Sequence, residues 1–421
     1  MTARTTFDAT ALTDEIDVHL AQADALLAKG FPGERAERQP VHTVYVPADR
    51  YDADLVPRWG KEALAAMDEH AGSAAEYAAV LGLPVHLADE VVTRVRAKLA
   101  SEPVEDLRID LEDGYGARDD DEEDGAVDEA AAALLASLDA GDAAPFTGIR
   151  FKSFEAPTRA RGVRSLARFI EAVTVDGRLP DGFVVTLPKV TSVDQVEAMV
   201  LACERLESGL GLRSGAMSFE IQVETPQSIL GPDGTALVAR MVHSAAGRCT
   251  GLHYGTYDYS ASCGIAAAYQ SMEHPAADHA KAVMQVAAAG TGVRLSDGST
   301  NVLPVGDRDR VHAAWALHAR LVRRSLERGY YQGWDLHPAQ LPSRYAATYA
   351  FYREGLPAAA ERLRNYVGSL ESGVMDEPAT ARALADFVVR GLDCGAVDAD
   401  EVEALTGIDR ARMDVLARRA K

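Results

Sequence analysis

A chain of 421 residues with 47% hydrophobic content has ample material for a large core, and its formal net charge of −21 excludes partners that need a basic face, nucleic acid and anionic membrane among them. Four cysteines, Cys203, Cys249, Cys263 and Cys394, show no CxxC spacing, and no run of about 18 apolar residues marks a membrane span. The opening stretch MTARTTFDATALTDEIDVHL has no apolar core of a secretion signal, so the expected location is cytoplasmic.

Along the chain, Leu12, Ile16, Leu20, Ala23 and Leu27 recur at helical spacing and predict an amphipathic helix over 11–29, ended by Gly30 and Pro32. A first strand is expected at His42–Val46, stopped by Pro47, and residues 53–100 read as mostly helical with a break at LPVHL. The second strand, Leu107–Leu111, carries Glu112 and Asp113 to its C-terminal end before Gly114 and Gly116. The like-charged run from Arg118 to Gly125, RDDDEEDG, reads as a solvated loop.

A third strand is expected at Gly148–Phe151 and a fourth at Gly182–Leu187, followed by a helix capped by Ser192. The fifth, Phe219–Val223, and the sixth, Cys249–Tyr254, each end in a turn-prone segment that carries one carboxylate, Glu224 and Asp258. A seventh at Val293–Leu295 and an eighth at Gly333–Leu336 flank a helix over Val311–Arg328. Strands alternating with helices imply a parallel sheet, and eight such units imply a (β/α)8 TIM barrel. Strand signals stop near Tyr345, which divides the chain into an N-terminal helical segment (1–40), a barrel (41–345) and a helical C-terminal appendage (346–421).

In such a barrel, residues just past the C-terminal strand ends point into the mouth where the chemistry is done. Glu224 and Asp258, on adjacent strands, form half of a site for a hard dication such as Mg²⁺, against the plainer reading of two solvated acids. Arg150 in the third strand offers a planar fork to a carboxylate or enolate, or else is a salt-bridged barrel residue. Lys189, after Pro188, adds a second positive point or is a loop lysine. With Glu112 and Asp113 these residues span the ends of strands two to six, a set suited to stabilising an enolate and moving one proton. A dinucleotide site is disfavoured, because SGLGLRSG (Ser208–Gly215) follows a helix and not a strand.

The motifs VYVPADR (Val44–Arg50), DLEDG (Asp110–Gly114), IRFK (Ile149–Lys152), LPKV (Leu187–Val190), QVETPQSI (Gln222–Ile229), GLHYGTYDYS (Gly251–Ser260), AAAGTGVRLSDG (Ala287–Gly298) and GWDLHPAQL (Gly333–Leu341) occur in that order. Together they resemble the HpcH/HpaI aldolase and citrate lyase superfamily, and HSAAGRCTGLHYGTYDYS is similar to the corresponding malate synthase segment. The resemblance implies Mg²⁺, with Mn²⁺ as the alternative, on Glu224 and Asp258. It implies Arg150 at the oxyanion and Glu112 and Asp113 in the acid/base and water-holding shell; Lys189 is a further catalytic candidate, and Arg150, Pro226 and His337 are expected at the substrate.

The implied activity is a carbon–carbon lyase or aldolase acting on a small 2-oxo or hydroxy acid of pyruvate, oxaloacetate or glyoxylate type. The alternatives are an acyl-CoA-dependent Claisen enzyme using a CoA thioester, and a non-catalytic accessory barrel. The C-terminal part is implied to be a cap over the mouth, its own or a neighbour's, in a homo-oligomer. Two positions depart from the pattern, both on the CoA side: Ala48 replaces a usual glycine, and Phe151-Lys152 follows the arginine where many CoA-ester members place a residue and then Asn.

Overall fold

The computed structural model describes residues 7–368 and 377–417. Its strands are β1 (His42–Pro47), β2 (Asp106–Asp110), β3 (Phe146–Arg150), β4 (Phe183–Leu187), β5 (Phe219–Val223), β6 (Cys249–Tyr254), β7 (Arg294–Ser296) and β8 (Gly333–Asp335). They form one parallel sheet in the order β7-β6-β5-β4-β3-β2-β1-β8. The two edges meet through a parallel bridge between Ser296 and Gln332, where the Asp297 N–H donates to the Gln332 carbonyl at 2.8 Å. The sheet thereby curls into a nearly closed barrel with helices between its strands, a TIM-barrel-like α/β fold.

Alternation along the strands sorts the residues. Leu107, Ile109, Ile149, Val185, Leu187, Ile221, Val223 and Leu252 are buried against the helices and make the apolar core. The opposite faces fill the lumen with charge instead of aliphatic layers. Arg108 on β2 crosses to both carboxylate oxygens of Glu220 on β5 at 3.0 Å and pairs with Asp106, and Glu220 also takes His253 Nε2 at 2.9 Å. A buried charge persists when paired and hydrogen-bonded, and here each one is.

Around the barrel the structure corrects several expectations. The acidic run is not a loop: Asp119 caps a helix, Asp120–Ala140, whose first turn holds Asp120, Asp121, Glu122 and Glu123. Four acids are favourable there because the N-terminal end of a helix carries partial positive charge. Arg161, Arg164 and Arg168 of the next helix, Arg159–Val173, pair with Asp124 and Asp128. The break at LPVHL is present, between the helices Ala74–Leu81 and Ala88–Ser101. The N-terminal helix runs Ala9–Gly30 and buries none of its residues within the chain.

The boundary expected at 345 falls inside a single helix of 27 residues, Leu341–Val367, with Pro357 on its exposed side. Three more helices follow, Pro378–Asp393, Ala399–Thr406 and Arg410–Leu416; residues 369–370 and 418–420, expected to be helical, lie outside those described. Among the described residues no hydrogen bond or ion pair joins the helices after 377 to the acids at the mouth of their own barrel. Arg390 donates to Gln39, just before β1, Asp398 pairs with Arg94, and Tyr349 donates to the Cys394 carbonyl. The apolar faces of these helices pack on the Leu341–Val367 helix, where Phe387 meets Phe351 and Tyr352, and the Gln39 contact sets them low on the barrel's flank, toward the N-terminal end of β1.

Candidate active site

Parallel register places Asp110 of β2 directly beside Arg150 of β3. Both side chains point into the lumen, and the guanidinium grips the carboxylate bidentately, Nε to Oδ1 and Nη2 to Oδ2, each at 2.7 Å. The same carboxylate accepts from the Glu112 and Gly114 N–H groups at 3.0 and 2.8 Å, which folds the DLEDG turn over the strand end. Arg150 is thus not a freely offered fork, as its position in the sequence suggested. Its Nη1 faces Gln222 Oε1 at 3.3 Å and Glu112 Oε2 at 3.8 Å, and its guanidinium lies over the Tyr45 ring.

Across the mouth, Glu224 follows β5 and is buried, with Oε1 accepting from the Lys189 backbone N–H at 2.7 Å and Oε2 from Gln222. Gly255, one residue past β6, makes room for it: a Cβ there would fall 2.5 Å from Glu224 Cβ. Lys189 takes a left-handed backbone, with φ of 51°, an unusual and strained conformation for a side-chain-bearing residue. Its ammonium lies 3.0 Å from Asp113, 3.3 Å from Asp258 and 3.4 Å from Glu112.

Burial pushes the Glu224 carboxyl up to about 8; Lys189 opposes this and the Asp258 charge adds to it. Burial likewise raises Glu112 to about 7 against the pull of Arg150. For Asp113 burial is outweighed by the hydrogen bond with Glu112 and by Arg150 and Lys189, so it sits below its ordinary value. Lys189 is raised, burial being overcome by Glu224, Glu112, Asp113 and Asp258.

One carboxylate oxygen from each of Asp113, Glu224 and Asp258 lies within 4.8 Å of the other two, the one such group of three potential ligands among the described residues. An all-oxygen donor set with one buried member fits a hard dication such as Mg²⁺. The Lys189 ammonium lies against two of the three acids, so the cluster already attracts positive charge. Asp113 joins Glu224 and Asp258 here.

The structure therefore brings together Glu112, Asp113, Arg150, Lys189, Glu224 and Asp258. Pro226 and His337 are not joined to them by any hydrogen bond or ion pair among the described residues. Pro226 starts the short helix Pro226–Ile229, and His337 caps the turn Pro338–Gln340, its Nδ1 accepting from the Ala339 N–H. Sequence reasoning missed two residues that hold Arg150, Asp110 and Gln222, although both occupy the strand face that ends in the acids. Lys152 donates to the Leu111 and Gly116 carbonyls at 2.7 and 3.0 Å and pairs with buried Glu123 at 2.8 Å.

A family model described as "Domain of unknown function (DUF6986)" matches residues 20–421. No curated protein matches the chain. Similar solved structures include three from the groups that the motifs resemble. One is a citrate lyase beta subunit complexed with oxaloacetate and magnesium from Mycobacterium tuberculosis, 19% identical over 74% of this chain and 98% of that one, with a TM-score of 0.42. Another is a malate synthase from Haloferax volcanii, 14% identical over 92% and 93%, with a TM-score of 0.49. A third is an HpcH/HpaI aldolase/citrate lyase family protein from Burkholderia cenocepacia, 16% identical over 72% and 90%, with a TM-score of 0.39. Among the described residues no helix is long and apolar enough to cross a membrane.

Proposed function

Starting from a chain that belongs to the family described as a domain of unknown function (DUF6986), we propose that it is a Mg²⁺-dependent carbon–carbon lyase acting through an enolate on a small 2-oxo or hydroxy acid. The observation that carries this reading is the gathering of Asp113, Glu224 and Asp258 within 4.8 Å, beside Glu112, whose carboxyl burial raises to about 7, and two cations. Asp113, Glu224 and Asp258 would hold the ion, with Lys189 withdrawing from them. Bound there, Mg²⁺ would supply Lewis-acid polarisation of a 2-oxo carboxylate.

The remaining work falls to the chain's own residues. Cleavage of a 4-hydroxy-2-oxo acid needs a base to take the hydroxyl proton as the C–C bond breaks, the hydroxyl carbon leaving as an aldehyde and the bond's electron pair passing into the enolate of the 2-oxo acid. Glu112, near 7, can accept that proton at neutral pH and return it to the enolate carbon. Arg150 stabilises the enolate charge, and Asp110 and Gln222 fix the direction of its guanidinium. Lys152 favours a free acid over a thioester, because it is committed to the Leu111 and Gly116 carbonyls where many CoA-ester members carry Asn.

Screening pyruvate, oxaloacetate, glyoxylate and their aldol products with Mg²⁺ by mass spectrometry, with and without acetyl-CoA, tests the reading. Turnover of a free acid that disappears in Glu224→Gln is expected. Turnover only with acetyl-CoA would move the assignment to Claisen chemistry, and no turnover, or turnover indifferent to Glu224→Gln, would remove it.

A further inference from the structure

At the other end of the barrel lies a cavity of about 710 Å³, within the size range of small-molecule sites. Four arginines stand around it, each from a segment at or before the N-terminal end of a different strand: Arg35 ahead of β1, Arg178 ahead of β4, Arg213 ahead of β5 and Arg294 at the start of β7. Its floor is the lumen network of Asp106, Arg108, Glu220 and His253.

That floor is already satisfied. Arg108 holds Asp106 and both oxygens of Glu220, Thr43 donates to Asp106 at 2.8 Å, and His253 completes Glu220. The rim arginines make none of these contacts. Arg35 donates to the Gly292 and Cys249 carbonyls at 2.8 and 3.3 Å, Arg213 to the Ser214 carbonyl at 3.4 Å, and Arg294 to the Glu37 carbonyl. Among the described residues Arg35, Arg178 and Arg213 form no ion pair. The carboxylates on the rim are Glu37 and Asp181, both exposed, and with the floor included the lining holds five arginines against four carboxylates.

A local surplus of arginine is unexpected on a chain of net charge −21, which otherwise repels anions. Guanidinium forks are the donors that suit carboxylate and phosphate oxygens. We propose that this cavity is a binding site for a small, multiply charged anion, a di- or tricarboxylate or a phosphate, distinct from the barrel mouth. Such a ligand would enter from the N-terminal side, and the lumen layer of Arg150, Asp110 and Gln222 separates it from the acid cluster.

Isothermal titration of citrate and of inorganic phosphate, separately, into the chelator-treated full chain tests this. At least one anion is expected to bind with a Kd of about 1 mM or tighter, and Arg178→Glu and Arg213→Glu are each expected to weaken it about tenfold or more. Both positions are exposed, so melting temperatures should hold. Arg240→Glu, the same charge change outside the cavity, and Glu224→Gln at the mouth should leave binding unchanged. The proposal falls if neither anion binds, if binding survives both rim reversals, or if Arg240→Glu or Glu224→Gln weakens it as much.

Discussion

Arg150 and Asp110 face each other because β2 and β3 pair in a register that sets them side by side. A lysine at 150 would keep the charge but lose the two-pronged grip on Asp110, so Arg150→Lys is expected to cut turnover about 10²–10³-fold, nearly as far as Arg150→Ala. Steady-state kinetics with a near-normal Lys variant would show that a diffuse positive charge suffices. The six mouth residues were legible because each follows or ends a short apolar strand. Asp110 was not singled out, although it shares a strand face with Glu112, because its partner is known only once the register is known. The raised carboxyls at Glu112 and Glu224 give a pH signature. In the metal-free protein they keep protons that an unfolded chain releases near 4.5, so their stabilising effect is complete below that value and is lost as pH rises through about 7 and about 8. The wild-type melting temperature should therefore fall relative to Glu224→Gln between about pH 5 and about pH 8, and Mg²⁺ should flatten the difference. Parallel profiles for the two proteins would contradict the buried, protonated Glu224.

At the scale of elements, the acidic helix Asp120–Ala140 proves to be part of the site's support. Glu123 in its first turn is buried, accepts from Ser165 at 2.6 Å and pairs with Lys152, which in turn ties down the Leu111 carbonyl in the DLEDG turn and the Gly116 carbonyl just after it. Lys152→Met strips a partner from a buried charge and releases both carbonyls, an expected loss of about 1–3 kcal/mol measurable by urea unfolding, together with weaker Mg²⁺ binding. Unchanged stability and affinity would show that the turn holds itself. The sequence misled here because a run of acids looks solvated until its partners are known, and Arg164 lies 40 residues beyond Asp124. By contrast β5 and β6 match their predicted spans residue for residue, since a five- or six-residue apolar run bounded by turn-prone segments leaves little choice. Helical spacing also identified the apolar faces after 357, but such spacing tells which side of a helix is buried and not what buries it. That is why the docking of these helices low on the barrel was not foreseen.

For the molecule as a whole, the C-terminal helices act as an outer buttress. Phe387 packs on Phe351 and Tyr352, and Val388 and Val389 are buried, so a chain ended at Gly368 should lose several degrees of melting temperature; an unchanged value would make the buttress dispensable. The helix Ala9–Gly30 leaves Val18, Leu26 and Leu27 exposed, and we expect a homo-oligomer to cover them. Sedimentation at a single 45.0 kDa mass would refute that. The central claim is that three carboxylates at one end of a charge-filled barrel hold the dication on which turnover depends. Isothermal titration of Mg²⁺ into the chelator-treated full chain tests it most directly. One site is expected in the wild type, weakened at least about 100-fold in Glu224→Gln and in Asp258→Asn with the fold intact. A wild type that takes up no Mg²⁺, or variants that bind it as tightly as the wild type, would contradict the account.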